Sequence, residues 1–251
     1  MTEKRRRGIY LLPNLFTTAG LFAGFYAILV AMDGRFEAAA VAIFIAMIMD
    51  GLDGRVARMT NTQSDFGMEY DSLADMVSFG LAPSLVVYQW ALADLVQNGW
   101  GWGKVAWAAA FIYTAGGALR LARFNTQAES TDKRYFQGLP SPAAAALMAG
   151  MVWVGTELGI DGAEWWLPAL LLTVSAGLLM VSNVRYHSFK DLDLRNRVPF
   201  VAMLVLVLAF VLTSIDPPKV LFGVFLLYAV SGPVLTLVNL RKMRAARRGN
   251  G

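Results

Sequence analysis

No cysteine occurs in the 251 residues, so disulfides and thiolate-held metal sites are excluded. Histidine is nearly as scarce: His187 stands alone, cannot build a zinc centre by itself, and reads as a polar loop residue. Charge is sparse as well. Only 16% of the residues are Asp, Glu, Lys or Arg against 57% hydrophobic, and a soluble domain of this length needs far more polar surface. The net charge of +4 does not make a nucleic-acid binder, because the positive residues sit in short clusters between long apolar runs rather than along one face. No Ser- or Pro-rich linker and no repeat with a clear period divides the chain, so residues 1–251 read as a single membrane domain.

What is present is a succession of apolar runs, each near the ~20 residues that a helix needs to cross a hydrocarbon core. They fall near Leu15–Met32, Phe36–Gly54, Ser72–Val96, Val105–Leu121, Ala143–Leu158, Trp166–Val184, Val198–Thr213 and Val220–Leu240. The expected fold is therefore all-α, a polytopic transmembrane bundle of about eight spans. Lys and Arg set its orientation, because cytoplasmic segments carry the excess of positive charge. With the N-terminus inside, Lys4, Arg5, Arg6, Arg7, Arg55, Arg58, Arg120, Arg123, Lys133 and Arg134 fall on the cytoplasmic side. So do Arg185, Lys190, Arg195, Arg197, Arg241, Lys242, Arg244, Arg247 and Arg248, and the opposite face keeps only Arg35, Lys104 and Lys219. An even number of spans, both termini cytoplasmic and residence in the inner membrane follow. The basic start before an apolar run imitates a signal peptide, but that run is long enough to span and a polytopic pattern follows it, so it reads as an uncleaved first helix. Gly20 and Gly24 suit close helix packing, and the alternating Gly99 to Gly103 stretch with Trp100 and Trp102 suits an interfacial turn.

The segment from Asp50 to Asp75 breaks this pattern. A carboxylate within a membrane span costs roughly 2.5 to 3.5 kcal/mol even on the lenient insertion scale, so Asp50, Asp53, Asp71 and Asp75 require compensation. Asp50 and Asp53 are spaced i,i+3, and Asp71 and Asp75 i,i+4, which puts each pair within roughly 40 to 60° of a common helix face. A short connection joins the two helices and makes them antiparallel, so the C-terminal end of one lies beside the N-terminal end of the other. Oxygen ligands without His or Cys favour Mg²⁺ or Mn²⁺, and four carboxylates balance two divalent ions. Such a pair suits phosphoryl transfer, whereas solvated helix ends would leave two same-face pairs unexplained.

The run Asp50-Gly51-Leu52-Asp53-Gly54-Arg55-Val56-Ala57-Arg58, followed by Gly67, Asp71 and Asp75, resembles the signature of the CDP-alcohol phosphotransferase family. That signature reads D-x-x-D-G-x-x-A-R, eight residues, then G-x-x-x-D-x-x-x-D, and every fixed position is matched. The resemblance implies that Asp50, Asp53, Asp71 and Asp75 bind metal and that Asp75 also serves as general base. It further implies a cytidine nucleotide site at Gly54, Ala57 and Gly67, with Arg58 on phosphate or bracing the cage, and a homodimer. Leu12 to Thr17, Asp71 to Pro83, Arg120 to Asn125 and Phe136 to Pro142 resemble the membrane-embedded, serine-accepting branch of that family.

Transfer of a phosphatidyl group from CDP-diacylglycerol to L-serine, with release of CMP, is the activity this branch implies. The carboxylate of serine requires a cation besides the metals, for which Arg120, Arg123 and Asn125 at the inner end of the fourth span are the candidates, weighed against arginines that only anchor topology. Lys133, Arg134 and the basic tail suit anionic lipid headgroups. Another acceptor, such as glycerol 3-phosphate, inositol phosphate or choline, would keep the metal site and change only this pocket. A cation- or proton-coupled transporter is the alternative of a different class, and a purely structural scaffold leaves the aspartates unexplained.

Overall fold

The computed structural model describes residues 11–127, 135–187, 207–208 and 211–249. These are almost entirely helical. Helix α1, Leu11–Met32, runs without a charged residue until Asp33 and Gly34, the latter at φ +74, turn the chain. Helix α2, Phe36–Thr60, packs antiparallel along it and continues six residues beyond the Gly54 expected as its end, so Asp50, Asp53, Gly54 and Ala57 share one helix. Asn61 stops α2 in the left-handed conformation (φ 51), one that Asn tolerates better than most side chains. Ser64 then starts α3, Asp65–Asp75, as an N-cap whose hydroxyl accepts the amide of Gly67 at 3.1 Å.

The chain continues through a π-helical segment, Met76–Leu81, into α4, Ala82–Val87, a second π segment, Tyr88–Leu92, and a 3₁₀ turn, Ala93–Asn98. Gly99, at φ +118, closes this long element, and α5 follows over Trp100–Gln127. Lys104 lies over the Trp100 ring at 3.4 Å, so the Gly-Trp stretch is a turn followed at once by helix. A three-residue strand, β1, Tyr135–Gln137, pairs antiparallel with β2, Arg185–His187. This ladder departs from the purely helical expectation, and its two strands are far apart in sequence. Between them lie α6, Ser141–Glu157, and α7, Trp166–Val181; α8, Pro217–Gly249, completes the described elements.

Helix α6 is the axis of the bundle. Its Ala143, Ala144, Ala145, Ala146, Leu147 and Met148 are all buried, and the short side chains let neighbouring helices come close. The same device recurs between α5 and α7, where a Cβ on Gly116 would stand 2.5 Å from the carbonyl oxygen of Gly177. The outer surface is instead apolar: Phe22, Phe25, Leu29 and Met32 on α1 and Leu227, Val234 and Leu237 on α8 are largely exposed. So much apolar area on the outside fits hydrocarbon rather than water as solvent.

Among the described residues, four helices are long and apolar enough to cross a membrane: Leu12–Met32, Asp65–Gln97, Trp100–Thr126 and Pro217–Val238. The helix expected as the second span is long enough but carries Glu37, Asp50, Asp53, Arg55 and Arg58, and the fifth and sixth have 17 and 16 residues. Each of these still forms a helix where an apolar run was expected. The seventh run, Val198–Thr213, lies mostly outside the described residues, as do Lys133 and Arg134.

Candidate active site

Helix α2 ends where α3 begins, and the four-residue connection Asn61 to Ser64 folds the two together. Asp50 and Asp53 on α2 thereby meet Asp71 on α3: one carboxylate oxygen from each lies within 4.8 Å of the others. Asp53 is the most enclosed, at 5% exposure, and its Oδ2 accepts the hydroxyl of Thr17 from α1 at 2.8 Å. Asp75, one turn beyond Asp71, stands outside that triplet but lines the same small cavity, with Thr17, Gly20, Ala46 and Ser78 among the walls. This cavity is about 10 Å³, close to the space of a single water-sized sphere.

A second, larger cavity of about 250 Å³ adjoins it, lined by Pro13, Asn14 and Thr17 of α1, Asp53, Gly54, Ala57 and Arg58 of α2, Thr62, Gln63 and Ser64 of the connection, and Gly67, Met68 and Asp71 of α3. Thr17, Asp53 and Asp71 belong to both cavities. All four residues expected at a nucleotide therefore line one space. Gly67 is needed there without a side chain: a Cβ would lie 3.2 Å from Ser64 Oγ and 3.6 Å from Asn14 Oδ1.

The three acceptor candidates separate. Arg120 sits among Asp75, Asp50, Tyr113 and Tyr228, close enough for their charges or dipoles to act on its guanidinium, and it donates to Ser141 Oγ at the start of α6. Arg123 turns away and donates to Asn183 Oδ1 at 3.4 Å. Asn125 bonds Ser72 on α3 through its side-chain amide nitrogen at 3.0 Å. Arg120 thus lies within electrostatic reach of Asp75, whereas Arg123 and Asn125 are engaged with Asn183 and Ser72.

The walls also include Asn14, Thr17, Gln63 and Ser64, to which the signature gives no role. A signal existed for those of α1, since Asn14, Thr17 and Thr18 form a polar stripe in an otherwise apolar run.

A cage of carboxylate oxygens lies at this helix junction beside a cavity of about 250 Å³, and its donor set fits a hard divalent cation. The chain matches the CDP-alcohol phosphatidyltransferase family over residues 10–175 and belongs to that family. Among curated relatives, the CDP-diacylglycerol–serine O-phosphatidyltransferase of Helicobacter pylori strain J99 is 37% identical over 232 residues, 92% of this chain and 94% of the relative. The enzyme of the same name from Mycobacterium leprae is 33% identical over 236 residues, 90% of this chain and 74% of its own length. An archaetidylserine synthase from Methanothermobacter thermautotrophicus is 29% identical over 188 residues, 74% of this chain and 73% of the relative.

Proposed function

We propose that the protein transfers the phosphatidyl group from CDP-diacylglycerol to L-serine, yielding phosphatidylserine and CMP. The observation that carries this reading is the pair of adjoining cavities, one ion-sized and one nucleotide-sized, that share Asp53 and Asp71. The activity for which the Helicobacter and Mycobacterium relatives are named supports serine as acceptor.

In this proposal Asp50, Asp53, Asp71 and Asp75 hold two divalent cations, Mg²⁺ or Mn²⁺. When bound, such ions neutralise charge on diphosphate oxygens and on the leaving group. The cytidine monophosphate part occupies the larger cavity, with Gly54, Ala57 and Gly67 leaving room for the base and Arg58 facing phosphate. Thr17 fixes the Asp53 carboxylate through its hydroxyl. Arg120 receives the carboxylate of serine and so aims the serine hydroxyl toward Asp75. Asp75 takes the hydroxyl proton as the serine oxygen bonds to the phosphatidyl phosphorus, and the bond from phosphorus to CMP breaks in the same displacement. The site faces the cytoplasm in the inner membrane, the protein acts as a homodimer, and its basic segments lie against anionic headgroups.

CMP release from CDP-diacylglycerol with serine, glycerol 3-phosphate, inositol phosphate and choline, each in turn, tests the reading. Serine should support turnover far better than the others. Preference for another alcohol would overturn the acceptor and keep the transferase, whereas no CMP with any alcohol would favour the transporter.

A further inference from the structure

Asp75 is the last residue before the π-helical segment Met76–Leu81, in which the amide of Ala82 bonds the carbonyl of Val77, five residues back. A π turn holds an extra residue, so helix on one side of it is rotated about 100° and shifted about 1.5 Å against the other side, relative to an unbroken α-helix. The helix beyond the segment is fixed: Ala82, Val86 and Val87 are fully buried. The part free to follow a change in winding is therefore the turn on its N-terminal side, the last of α3, which carries Asp75.

Two neighbouring helices grip this segment by its backbone. From α5, the hydroxyl of Tyr113 donates to the carbonyl of Phe79 at 3.1 Å, and that of Thr114 to the carbonyl of Gly80 at 3.3 Å. Tyr113 is fully buried, which leaves its hydroxyl no water to bond instead. From the other side, Ser78 donates to the carbonyl of Gly20 in α1 at 3.1 Å. Contact there is so close that a Cβ on Gly24 would lie 2.5 Å from Ser78 Oγ. Gly80 and Gly117 allow a similar approach on the α5 side, where a Cβ on Gly117 would be 3.2 Å from the Cα of Gly80.

We infer that Tyr113 and Thr114 are positioning residues for catalysis: by holding the π winding of Met76–Leu81 they set where Asp75 stands relative to Asp50, Asp53 and Arg120. This rests on the reading of Asp75 as the group that takes the proton. Neither residue lines the two cavities at the aspartates, so neither belongs to the nucleotide or metal walls. A winding slip confined to that turn moves Asp75 by more than a hydrogen-bond length, while Gly54, Ala57, Arg58 and Gly67 stay where they are. Loss of the clamp should accordingly lower turnover and spare nucleotide-lipid binding.

The experiment compares wild type with Tyr113→Phe, Thr114→Val, Thr114→Ser and Asp75→Asn in full-length, membrane-reconstituted protein. It measures kcat per folded molecule with saturating serine, KM for CDP-diacylglycerol, and the thermal midpoint. Tyr113→Phe and Thr114→Val should each lower kcat about tenfold, as expected for one hydrogen bond, with KM for CDP-diacylglycerol unchanged. Thr114→Ser keeps the hydroxyl and should recover most of the turnover, which loss of stability alone would not predict. If Asp75→Asn is inactive but Tyr113→Phe and Thr114→Val turn over at the wild-type rate, with only a lower thermal midpoint, the positioning role is refuted. A rise in KM for CDP-diacylglycerol without a fall in kcat refutes it too. An active Asp75→Asn would show instead that the reading of Asp75 has failed, and the inference with it.

Discussion

Replacing Arg120 with alanine is the most direct test of how the acceptor is recognised. Arg120 lies within electrostatic reach of Asp75 and Asp50, whereas Arg123, one turn further along the same helix, is engaged with Asn183. A hydrogen bond to a charged group contributes about 1.5 to 3 kcal/mol, and each ~1.4 kcal/mol is tenfold in affinity. Arg120→Ala should therefore raise KM for serine about 10- to 150-fold, measured as CMP release with serine titrated at saturating CDP-diacylglycerol. KM for CDP-diacylglycerol should change little. Arg120→Lys should recover part of the loss, since an ammonium keeps the charge but lacks the planar fork. Truncation also strands Ser141 Oγ, which is fully buried, at a cost of about 1 to 3 kcal/mol in stability. Ser141→Ala supplies the control, removing that contact while leaving the guanidinium. Arg123→Ala should move KM for serine by less than about threefold, because an exposed polar contact contributes under about 1 kcal/mol. Wild-type serine saturation in Arg120→Ala, or a larger effect from Arg123→Ala, would refute the assignment.

Asp50→Asn, Asp53→Asn and Asp71→Asn should each abolish turnover and flatten its dependence on added Mg²⁺ or Mn²⁺; wild-type activity in any one of them would count against the carboxylate cage. Gly67→Val should crowd Ser64 and Asn14 at the wall of the larger cavity and raise KM for CDP-diacylglycerol about tenfold, in line with the ~1 to 3 kcal/mol of overpacking, while KM for serine stays constant. In this cysteine-free chain, cysteines introduced at the exposed positions Gln63 and Gly101 should react with an impermeant maleimide from opposite faces, Gln63 from the cytoplasm, and labelling of Gln63 from outside would reverse the topology.

The aspartates were legible because their spacing is local: i,i+3 and i,i+4 pairs on two helices joined by four residues leave little choice about which faces meet. Gly54, Ala57, Arg58 and Gly67 came from the resemblance to the family signature rather than from helix geometry, and the structure places all four on one cavity. What stayed hidden depends on contacts between distant segments. Thr17 reaches Asp53 across 36 positions and Tyr113 reaches Phe79 across 34, and neither leaves a periodic trace. The π segments were hidden as well, because Met76 to Leu81 is a mostly apolar stretch that only Ser78 and Gly80 interrupt. Strands β1 and β2 are three residues each, too short for alternation to register. Arg120 and Arg123 looked equivalent in sequence; three residues apart on a helix, they diverge because Ser141 meets one and Asn183 the other.

Every residue that lines the two cavities falls between Pro13 and Phe79. In chain order the complete acidic site therefore precedes Arg120, the cation within electrostatic reach of Asp75. At roughly 2.5 to 3.5 kcal/mol for each inserted carboxylate, the nascent helices cannot carry four bare charges into the hydrocarbon. Arg55 and Arg58 on α2 offset part of that charge, and protons or captured divalent cations would offset the rest, so the ions proposed for the reaction would also lower the cost of inserting the first three helices.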